Sequence, residues 1–130
     1  MGSSEIKLFE PDYEAIMREL KEYAEKTVKR GALAVILIGS LARGDYTAFS
    51  DADVIIVVEE SSERPIDRII KYLEPSASVD IEPRVYTTKE IQAMAKRRAR
   101  IIKEIIEHGI LLSGNKEIIE EIRQAIKTES

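Results

Sequence analysis

The sequence predicts a single α/β domain, of the α+β type, in which helices pack on a mixed β-sheet of three or four strands. The chain has 130 residues, about the length of one average domain. Short apolar runs rich in β-branched residues, typical of buried strands, alternate with segments whose apolar residues recur at helical spacing. No internal repeat, low-complexity tract or linker divides the chain, so residues 1–130 are predicted to form one domain.

The first half of the chain is predicted to form one long helix and two strands. Apolar residues at helical spacing predict an amphipathic helix over residues 11–30, and Gly31 is suited to the position that ends it. The continuous apolar run over residues 33–38 predicts a strand buried on both faces. A polar stretch containing glycine then leads to a second strand over about residues 52–59.

The middle of the chain is predicted to form a short helix and a third strand. Pro65 is suited to the first turn of a helix that continues to about Leu73. Residues 79–86 alternate apolar and polar side chains as a strand does. Pro83 within this strand favours a position at the sheet edge or in a bulge.

The last third of the chain is predicted to be mainly helical. Thr87 and Glu90 have the spacing of a capping box, which predicts the start of a long helix running to about Glu107. A short segment over residues 109–112 ends this helix. The turn over residues 113–115 then leads into a last helix whose isoleucines share one stripe.

Composition excludes several classes of function. The 20 Lys and Arg nearly balance the 24 Asp and Glu, and the net charge of −4 argues against a polycationic surface for nucleic acid. The absence of cysteine excludes disulfides and thiolate chemistry, and the single histidine, His108, excludes a His-rich zinc site. No apolar run approaches the roughly 20 residues that cross a bilayer. Residues 1–11 lack the apolar core of a secretory signal, so no membrane association and a cytoplasmic location are expected.

A glycine–serine pair follows the first predicted strand and is suited to binding an anion. Gly39 and Ser40 allow a sharp turn with accessible N–H groups, and a helix starting there would favour a phosphate. Ser40 adds a hydroxyl donor, and Arg43 adds a planar guanidinium that matches phosphate oxygens. Taken alone, each of these residues is typical of an ordinary turn or surface.

Two aspartates at the start of the second predicted strand suggest a metal site. Asp51 and Asp53 are two residues apart, so both side chains point to the same face of the sheet. Neighbouring carboxylates repel each other, and burial makes their charged forms still less favourable. Mg²⁺ relieves this repulsion and binds carboxylates together with substrate phosphates. A phosphate cradle beside such a pair indicates phosphoryl or nucleotidyl transfer.

Gly39-Ser40, ten intervening residues and Asp51-x-Asp53 resemble the signature of the DNA polymerase β-like nucleotidyltransferase superfamily. The fuller runs GSLARGD and SDADVI resemble its small stand-alone branch, the minimal nucleotidyltransferases (MNT-type, MntA-like). The likeness extends from Ala34 to about Thr87. It implies a polymerase-β-like catalytic core over residues 32–88, between the N-terminal helix and C-terminal helices over residues 88–127.

The resemblance implies a role for each residue of the motif. In that superfamily two aspartates and a third acid hold two Mg²⁺ ions, and the Gly-Ser turn holds the nucleoside triphosphate. Gly39-Ser40 would then bind the terminal phosphates, with Arg43 and Ser50 as further nucleotide contacts. Asp51 and Asp53 would be the catalytic acids that ligate both ions, for which Mn²⁺ can substitute.

Two residues are candidates for the third acid. The run Asp80-Ile81-Glu82-Pro83 resembles the acid-x-x-Pro pattern of several superfamily members, which favours Asp80 as the third catalytic and metal-binding acid. Glu82 is two residues further on, on the same face of the strand, and can serve instead. The acid that is not used is expected to be an ordinary polar residue on an exposed face.

A basic cluster and a tyrosine are weaker candidates. The run Lys96-Arg97-Arg98-Ala99-Arg100 could dock nucleic acid or an acidic partner, but it lacks interleaved aromatic residues for base stacking. A solvated helix face is preferred, and nucleic acid is not expected as a partner. Tyr46 lies between the Gly-Ser turn and the aspartates and is considered as a contact to the nucleotide base.

The resemblance implies a Mg²⁺-dependent transfer of a nucleoside monophosphate, AMP from ATP, to a protein acceptor with release of pyrophosphate. Members of the minimal branch are commonly paired with a HEPN-domain protein, and some are antitoxins that attach AMP to a tyrosine of that partner. The alternatives are a non-catalytic antitoxin module that covers its partner and a small-molecule, antibiotic-type nucleotidyltransferase. The intact motif favours the enzyme, because a pure binder has no need for adjacent unpaired carboxylates.

Overall fold

The computed structural model describes residues 12–47 and 50–128. Residue 11, where the sequence predicts the first helix to begin, lies outside the described residues, as do residues 1–10, 48–49 and 129–130. The helices and strands, in chain order, are α1 (Tyr13–Lys29), β1 (Ala34–Ile38), α2 (Ser40–Arg43), β2 (Ala52–Val58), α3 (Pro65–Lys71), β3 (Ile81–Thr87), α4 (Thr88–Lys96), α5 (Arg100–His108), β4 (Ile110–Gly114) and α6 (Glu117–Thr128). The α/β class and the mixed sheet predicted from the sequence are confirmed.

The four strands form one sheet in the order β3-β2-β1-β4. The central strand β1 is antiparallel to both of its neighbours, and β2 is parallel to β3. Pro83 lies on β3, an edge strand, which confirms the edge position that a missing N–H predicts. The strand at the opposite edge was not predicted. Residues 110–114 form β4, whereas the sequence predicts a short segment over residues 109–112 and a turn over residues 113–115.

Both faces of the sheet are covered, which explains why all five residues of β1 are buried. On one face, α1 packs its buried Leu20 and Ala24 with strand residues such as Leu37 and Ile56. On the other face, α4, α5 and α6 pack with the alternate strand residues. That second core contains Ile36, Ile38, Ile55, Val57, Ile91, Ile102, Ile105 and Ile122.

A buried tyrosine links helix α1 to the residue that follows α3. The Asp12 side chain caps the helix by accepting from the Ala15 N–H at 3.1 Å. The Tyr23 hydroxyl donates to the Tyr72 carbonyl at 2.6 Å, just beyond the end of α3. Burial raises the pKa of Tyr23 to about 12, so the hydroxyl stays a donor throughout the physiological range. Gly31, with φ +115°, follows α1 as predicted.

The prediction of a single long helix to Glu107 is wrong, because residues 97–99 interrupt it and separate α4 from α5. The Arg98 N–H donates to the Ala95 carbonyl (3.1 Å) and the Ala99 N–H to the Met94 carbonyl (3.0 Å). These are the paired bonds of a Schellman motif, whose left-handed position is occupied here by Arg98, with φ +53°. The break allows α4 to contact β2 and β3 while α5 contacts β1. It was not predictable from local signals, since neither glycine nor proline marks it.

The start of α4 confirms the predicted capping box. The Glu90 N–H donates to the Thr87 hydroxyl (3.2 Å), and the Thr87 N–H donates to the Glu90 carboxylate (2.8 Å). The same carboxylate accepts from the buried Arg68 guanidinium at 2.6 Å, which ties α3 to α4. Within the described residues, no helix has the length and apolar character needed to cross a bilayer.

Candidate active site

The predicted acidic pair lies where β1 ends and β2 begins. Asp53 is the register partner of Ile38, the last residue of β1, so the turn that follows Ile38 lies directly beside Asp53. On its other side, Asp53 is the register partner of Glu82 on the parallel strand β3. Since Asp53 alternates with Ala52 and Val54, it points to the face of the sheet covered by α4 and α5. The topology therefore brings the Gly-Ser turn and two acids together at one end of the sheet.

Gly39 is required by this close approach. Its φ is +80°, and a Cβ added there would lie 2.6 Å from Oδ2 of Asp53. A side chain would therefore be both strained and in contact with the carboxylate. The turn backbone and the Asp53 carboxylate form one continuous surface.

Ser40 opens a short helical turn, α2. The N–H groups of Ala42 and Arg43 donate to the Gly39 carbonyl at 3.1 and 3.0 Å, and Gly44 donates to the Ser40 carbonyl at 2.9 Å. The first amides of such a turn have no partner inside it, so those of Ser40 and Leu41 can bind an anion. Gly44, with φ +93°, ends the turn in a left-handed conformation.

Glu82 is electrostatically coupled to the aspartate pair. Repulsion by Asp51, followed by burial and by repulsion from Asp53, raises the pKa of the Glu82 carboxyl above its ordinary value. Asp80, the acid that the sequence favours, lies one residue before β3, and it is exposed, as Glu82 is. Its carbonyl accepts from the Ala52 N–H at 2.7 Å, a bond that aligns the starts of β2 and β3.

The acids fit a hard divalent cation in their chemistry. Carboxylate oxygens are the ligands that Mg²⁺ prefers, and a cation among Asp51, Asp53 and Glu82 would remove the repulsion that raises the Glu82 pKa. Among residues 12–47 and 50–128, however, no three acid or histidine side chains already stand at coordination distances. A metal would have to draw these carboxylates together, and Mg²⁺ sites commonly complete their coordination with water and substrate phosphates.

Arg43 lies at the site but is held by two acids. Its guanidinium donates to Glu104 of α5 at 2.6 Å and to Asp45 at 3.3 Å. The hydrogen bond to Asp45, with smaller contributions from both acids, raises the pKa of Arg43. A phosphate at the Gly-Ser turn would compete with these carboxylates for the guanidinium.

Ser50 and Tyr46 are engaged in local structure. The Ser50 hydroxyl accepts from the Thr47 N–H at 2.8 Å and stands just before Asp51. The Tyr46 ring stacks on Tyr13 of α1, with centroids 5.2 Å apart, and belongs to the core on the opposite face of the sheet. Neither residue is among the described residues that line the cleft at the acidic pair.

The cleft has a volume of about 540 Å³ and runs from the Gly-Ser turn to the junction of α4 and α5. Its lining includes Gly39, Ser40, Arg43 and Asp53 from the predicted site. The sequence did not identify the other polar and aromatic residues that line the cleft, namely Arg84, Tyr86, Arg97, Arg100 and Glu104. A depression of about 640 Å³ between residues 59–63 and 87–89 lies at the other end of the sheet and contains no predicted site residue.

Two signals in the sequence could have identified four of these residues. Arg84 and Tyr86 share the strand period of Glu82, which places all three on one face of β3. Arg97 and Arg100 belong to the basic cluster that was interpreted as a solvated helix face. Arg97 and Arg100 line the cleft on either side of the break at Arg98, so their basic charge was the available signal.

Comparison with known proteins agrees with the family that the sequence motif resembles. Residues 17–126 match the sequence model of the nucleotidyltransferase domain. Two Methanocaldococcus jannaschii proteins, the candidate protein adenylyltransferases MJ0141 and MJ0604, are 47% identical over 45 residues and 42% identical over 59 residues. These segments cover 35% and 43% of this chain, and they span only 46% and 59% of the relatives' lengths.

A solved structure shares the fold. A toxin–antitoxin crystal structure with AMP-PNP matches with a TM-score of 0.59 at 14% identity, over 83% of this chain and 85% of the other. At that identity the likeness concerns the fold alone. The match of the domain model to most of the chain, together with this fold, shows that the chain belongs to the nucleotidyltransferase domain family.

Proposed function

We propose that this protein transfers a nucleoside monophosphate, AMP from ATP, to a protein acceptor in a reaction that depends on a divalent metal. The observation that carries this proposal is the contact between the Gly39 backbone and the Asp53 carboxylate, with Glu82 on the next strand. A turn suited to phosphates and a group of repelling acids are thus contiguous. A metal-bound triphosphate would satisfy both at once.

Asp51, Asp53 and Glu82 are the proposed metal-binding acids, with Asp80 as the alternative third acid. Two Mg²⁺ ions, or Mn²⁺ in their place, would neutralise charge on the triphosphate when bound there. The electrostatic coupling of Glu82 to the pair favours Glu82 over Asp80. Asp80→Asn and Glu82→Gln therefore form a discriminating pair of variants, of which Glu82→Gln is expected to cause the larger loss of metal-dependent nucleotide binding.

The residues of the turn bind and orient the triphosphate. The free amides at the start of α2 and the Ser40 hydroxyl would hold the terminal phosphates, and Arg43 would neutralise them on leaving Glu104. A hydroxyl oxygen of the acceptor then attacks the α-phosphorus and gives up its proton to water, while the bond to the bridging oxygen breaks and pyrophosphate leaves with the electron pair of that bond. Positioning and charge neutralisation supply most of the catalysis in such transfers.

The proposed acceptor is a protein partner, of HEPN type according to the family resemblance. Two observations support a protein acceptor and an adenine nucleotide: the matched relatives are candidate protein adenylyltransferases, and the similar solved structure is a toxin–antitoxin complex with AMP-PNP. The expected product is AMP attached to a side-chain hydroxyl of that partner.

A covering module is the second candidate function, and one observation favours it. Helix α3 and the residues after it expose three large apolar side chains, Ile66 (54%), Ile70 (56%) and Leu73 (51%). Exposed apolar area of this kind is typical of protein interaction surfaces. A partner could thus be bound and inhibited without any transfer.

The deciding experiment is to incubate the protein with labelled ATP, Mg²⁺ and its co-purifying partner, and to locate the label. Ser40→Ala and Arg43→Ala are expected to lower transfer by about tenfold or more, as loss of a hydrogen bond or charge-assisted contact predicts. Both residues lie outside the two cores, so partner binding is expected to persist. Glu120→Gln, an exposed change on α6 that lies outside both the cleft and the apolar residues of α3, is the control and is expected to leave transfer unchanged. Undiminished inhibition of the partner by both site variants would favour the covering module.

A further inference from the structure

Three arginines line the cleft together with the Gly-Ser turn and Asp53. Arg84, Arg97 and Arg100, here called the arginine wall, were not included in the sequence-predicted site. We infer that the arginine wall binds the phosphate chain of the nucleotide and makes the cleft selective for a triphosphate over a monophosphate. The inference rests on the proposed function in placing the nucleotide in this cleft.

The arginine wall is assembled from two separate elements. Arg84 lies on β3 two residues after Glu82, so it follows the acidic group along the same face of the sheet. Arg97 and Arg100 flank the break between α4 and α5, and Ala99 between them also lines the cleft. Two distant parts of the chain thus converge on one space of about 540 Å³, which is a typical volume for a small-molecule site.

A strained backbone makes this convergence possible. Arg98 adopts φ +53° at a position where helices usually place glycine. Non-glycine residues in this region are disfavoured, and such strain concentrates at functional sites. In a continuous helix through residues 96–100, Arg97 and Arg100 would also be neighbours on one face, but the chain would not change direction to carry α5 over β1.

The arginine wall differs from Arg43, the fourth arginine that lines the cleft, in having no acidic partner. Arg43, Arg64 and Arg68 each form an ion pair with a carboxylate. The guanidinium groups of Arg84, Arg97 and Arg100 form no hydrogen bond or ion pair with any residue of the described segments. Three guanidiniums without a carboxylate partner leave positive charge available in one cleft, and a bound polyanion would neutralise it.

The sign of the charge inside the cleft is opposite to that of the whole protein. Four arginines and two acids, Asp53 and Glu104, line the cleft, whereas the chain as a whole carries a net charge of −4. The local positive charge therefore marks a site for an anion rather than a general basic surface. Guanidinium groups match phosphate oxygens with two parallel hydrogen bonds, so a phosphate chain suits the arginine wall.

The position of the acids decides which polyanion fits. Asp53 lies in the same cleft and would repel an anion that arrives without a metal. A metal-bound triphosphate matches both the acids and the arginine wall. Its metal would bind the acids, and its remaining phosphate oxygens would bind the arginines. Single-stranded nucleic acid generally requires aromatic platforms for its bases, and Tyr86 is the one aromatic residue among the described residues that line the cleft.

The first test uses inorganic tripolyphosphate with Mg²⁺ and measures its affinity by calorimetry. Arg84→Ala, Arg97→Ala and Arg100→Ala are each expected to weaken binding by about tenfold or more. Lys96→Ala removes the same charge one residue from Arg97, but Lys96 does not line the cleft, so its effect is expected to stay within twofold. The control is that all four variants melt at a temperature close to that of the wild-type protein, which would show that they fold.

The second test compares a non-hydrolysable ATP analogue with AMP, both with Mg²⁺. The arginine variants are expected to lower affinity for the ATP analogue and to leave affinity for AMP nearly unchanged, so that the preference for triphosphate falls about tenfold or more. Equal losses for both nucleotides, no loss for either, or no binding of tripolyphosphate to the wild-type protein would each overturn the inference. Binding of single-stranded RNA with similar sensitivity to the three arginines, but no tripolyphosphate binding, would replace it with a nucleic-acid site.

The two tests separate this inference from the proposed function. If tripolyphosphate binds through the arginine wall but label from ATP reaches no acceptor, the transfer reaction is wrong and the inference stands. If label is transferred but the arginine variants bind tripolyphosphate as the wild-type protein does, the inference is wrong and the transfer reaction stands.

Discussion

At the scale of single residues, the site depends on one glycine and a group of acids that are mutually unfavourable. Gly39 allows the turn backbone to lie against Asp53, and no other residue type fits there without strain. Asp53 in turn faces Glu82 across the parallel strands. Like charges in register on neighbouring strands are destabilising, so this arrangement favours a bound cation over the metal-free protein.

Gly39→Ala tests the contact between backbone and carboxylate. The added Cβ meets Oδ2 of Asp53 at 2.6 Å, so the free energy of unfolding is expected to fall by about 2–3 kcal/mol, and nucleotide binding is expected to be lost. Gly31→Ala is the matched control, because Gly31 also has a positive φ but faces open space. Its cost is expected to be about 1 kcal/mol, from backbone strain alone. Equal destabilisation by both changes in chemical denaturation would argue against a specific contact with Asp53.

Asp53→Asn tests whether the acids are functional rather than structural. It removes one charge and keeps the shape, so transfer is expected to be abolished while the fold is retained. Relief of repulsion with Asp51 and Glu82 is expected to raise the stability of the metal-free protein by about 0.2–1 kcal/mol. Thermal melts in EDTA measure this change, and a marked drop in melting temperature would mean that Asp53 stabilises the fold.

At the scale of elements, the two ends of α4 determine where the helix lies on the sheet and where the cleft forms. The capping box at Thr87 starts the helix directly from β3 and binds the buried Arg68 through Glu90. The Schellman motif at Arg98 ends it and directs α5 over β1. The cleft lies between the sheet and this second end.

Glu90→Gln tests the ion pair at the start of α4 through its pH dependence. Burial opposes ionisation, but the Thr87 N–H and the Arg68 guanidinium outweigh it and lower the pKa of Glu90. The charged carboxylate therefore adds stability that is fully present above the ordinary glutamate pKa and is lost as the pH falls through the lowered one. Glutamine keeps the capping bond, and solvent screens the ion pair because the Glu90 side chain is 43% exposed. The variant is therefore expected to be less stable by about 0.5 kcal/mol at pH 7 and equal to wild type in strong acid. A pH-independent difference in urea unfolding would contradict this.

Arg98→Gly tests the strained end of α4. Glycine adopts φ +53° more easily than arginine, so the free energy of unfolding is expected to rise by about 0.5–1 kcal/mol. Lys96→Gly, at the last residue of α4, is the opposite control and is expected to lower it by up to a similar amount. Destabilisation by both changes in chemical denaturation would show that Arg98 makes contacts beyond its backbone role.

At the scale of the whole molecule, the order of elements and the motif were predictable, and the cleft was not. Strands β1 and β2 are continuous apolar runs, and the motif lies between them, so the position of Gly39 and Asp53 follows from local sequence. Strand β4 is short and follows a helical pattern, and only its pairing with β1 makes it a strand. The preference between Asp80 and Glu82 depends on register and electrostatics, which the spacing of two residues on one face does not determine.

The position of the basic cluster was the feature that the local sequence predicted least well. Lys96 to Arg100 have high helix propensity, so a continuous helix with a solvated face was the natural prediction. Tertiary packing instead breaks the helix, because the isoleucines of α5 must reach the core beside β1. The functional interpretation changes as well, since Arg97 and Arg100 line the cleft on either side of the break.

The central claim is that the acids and the Gly-Ser turn form one metal-dependent nucleotide site, and calorimetric titration with a non-hydrolysable ATP analogue tests it most directly. With Mg²⁺ or Mn²⁺ the analogue is expected to bind far more tightly than in EDTA, because the cation removes the repulsion between its phosphates and the carboxylates at Asp51, Asp53 and Glu82. Asp53→Asn is expected to abolish this difference. Equal affinity with the metal and in EDTA for the wild-type protein would contradict the account.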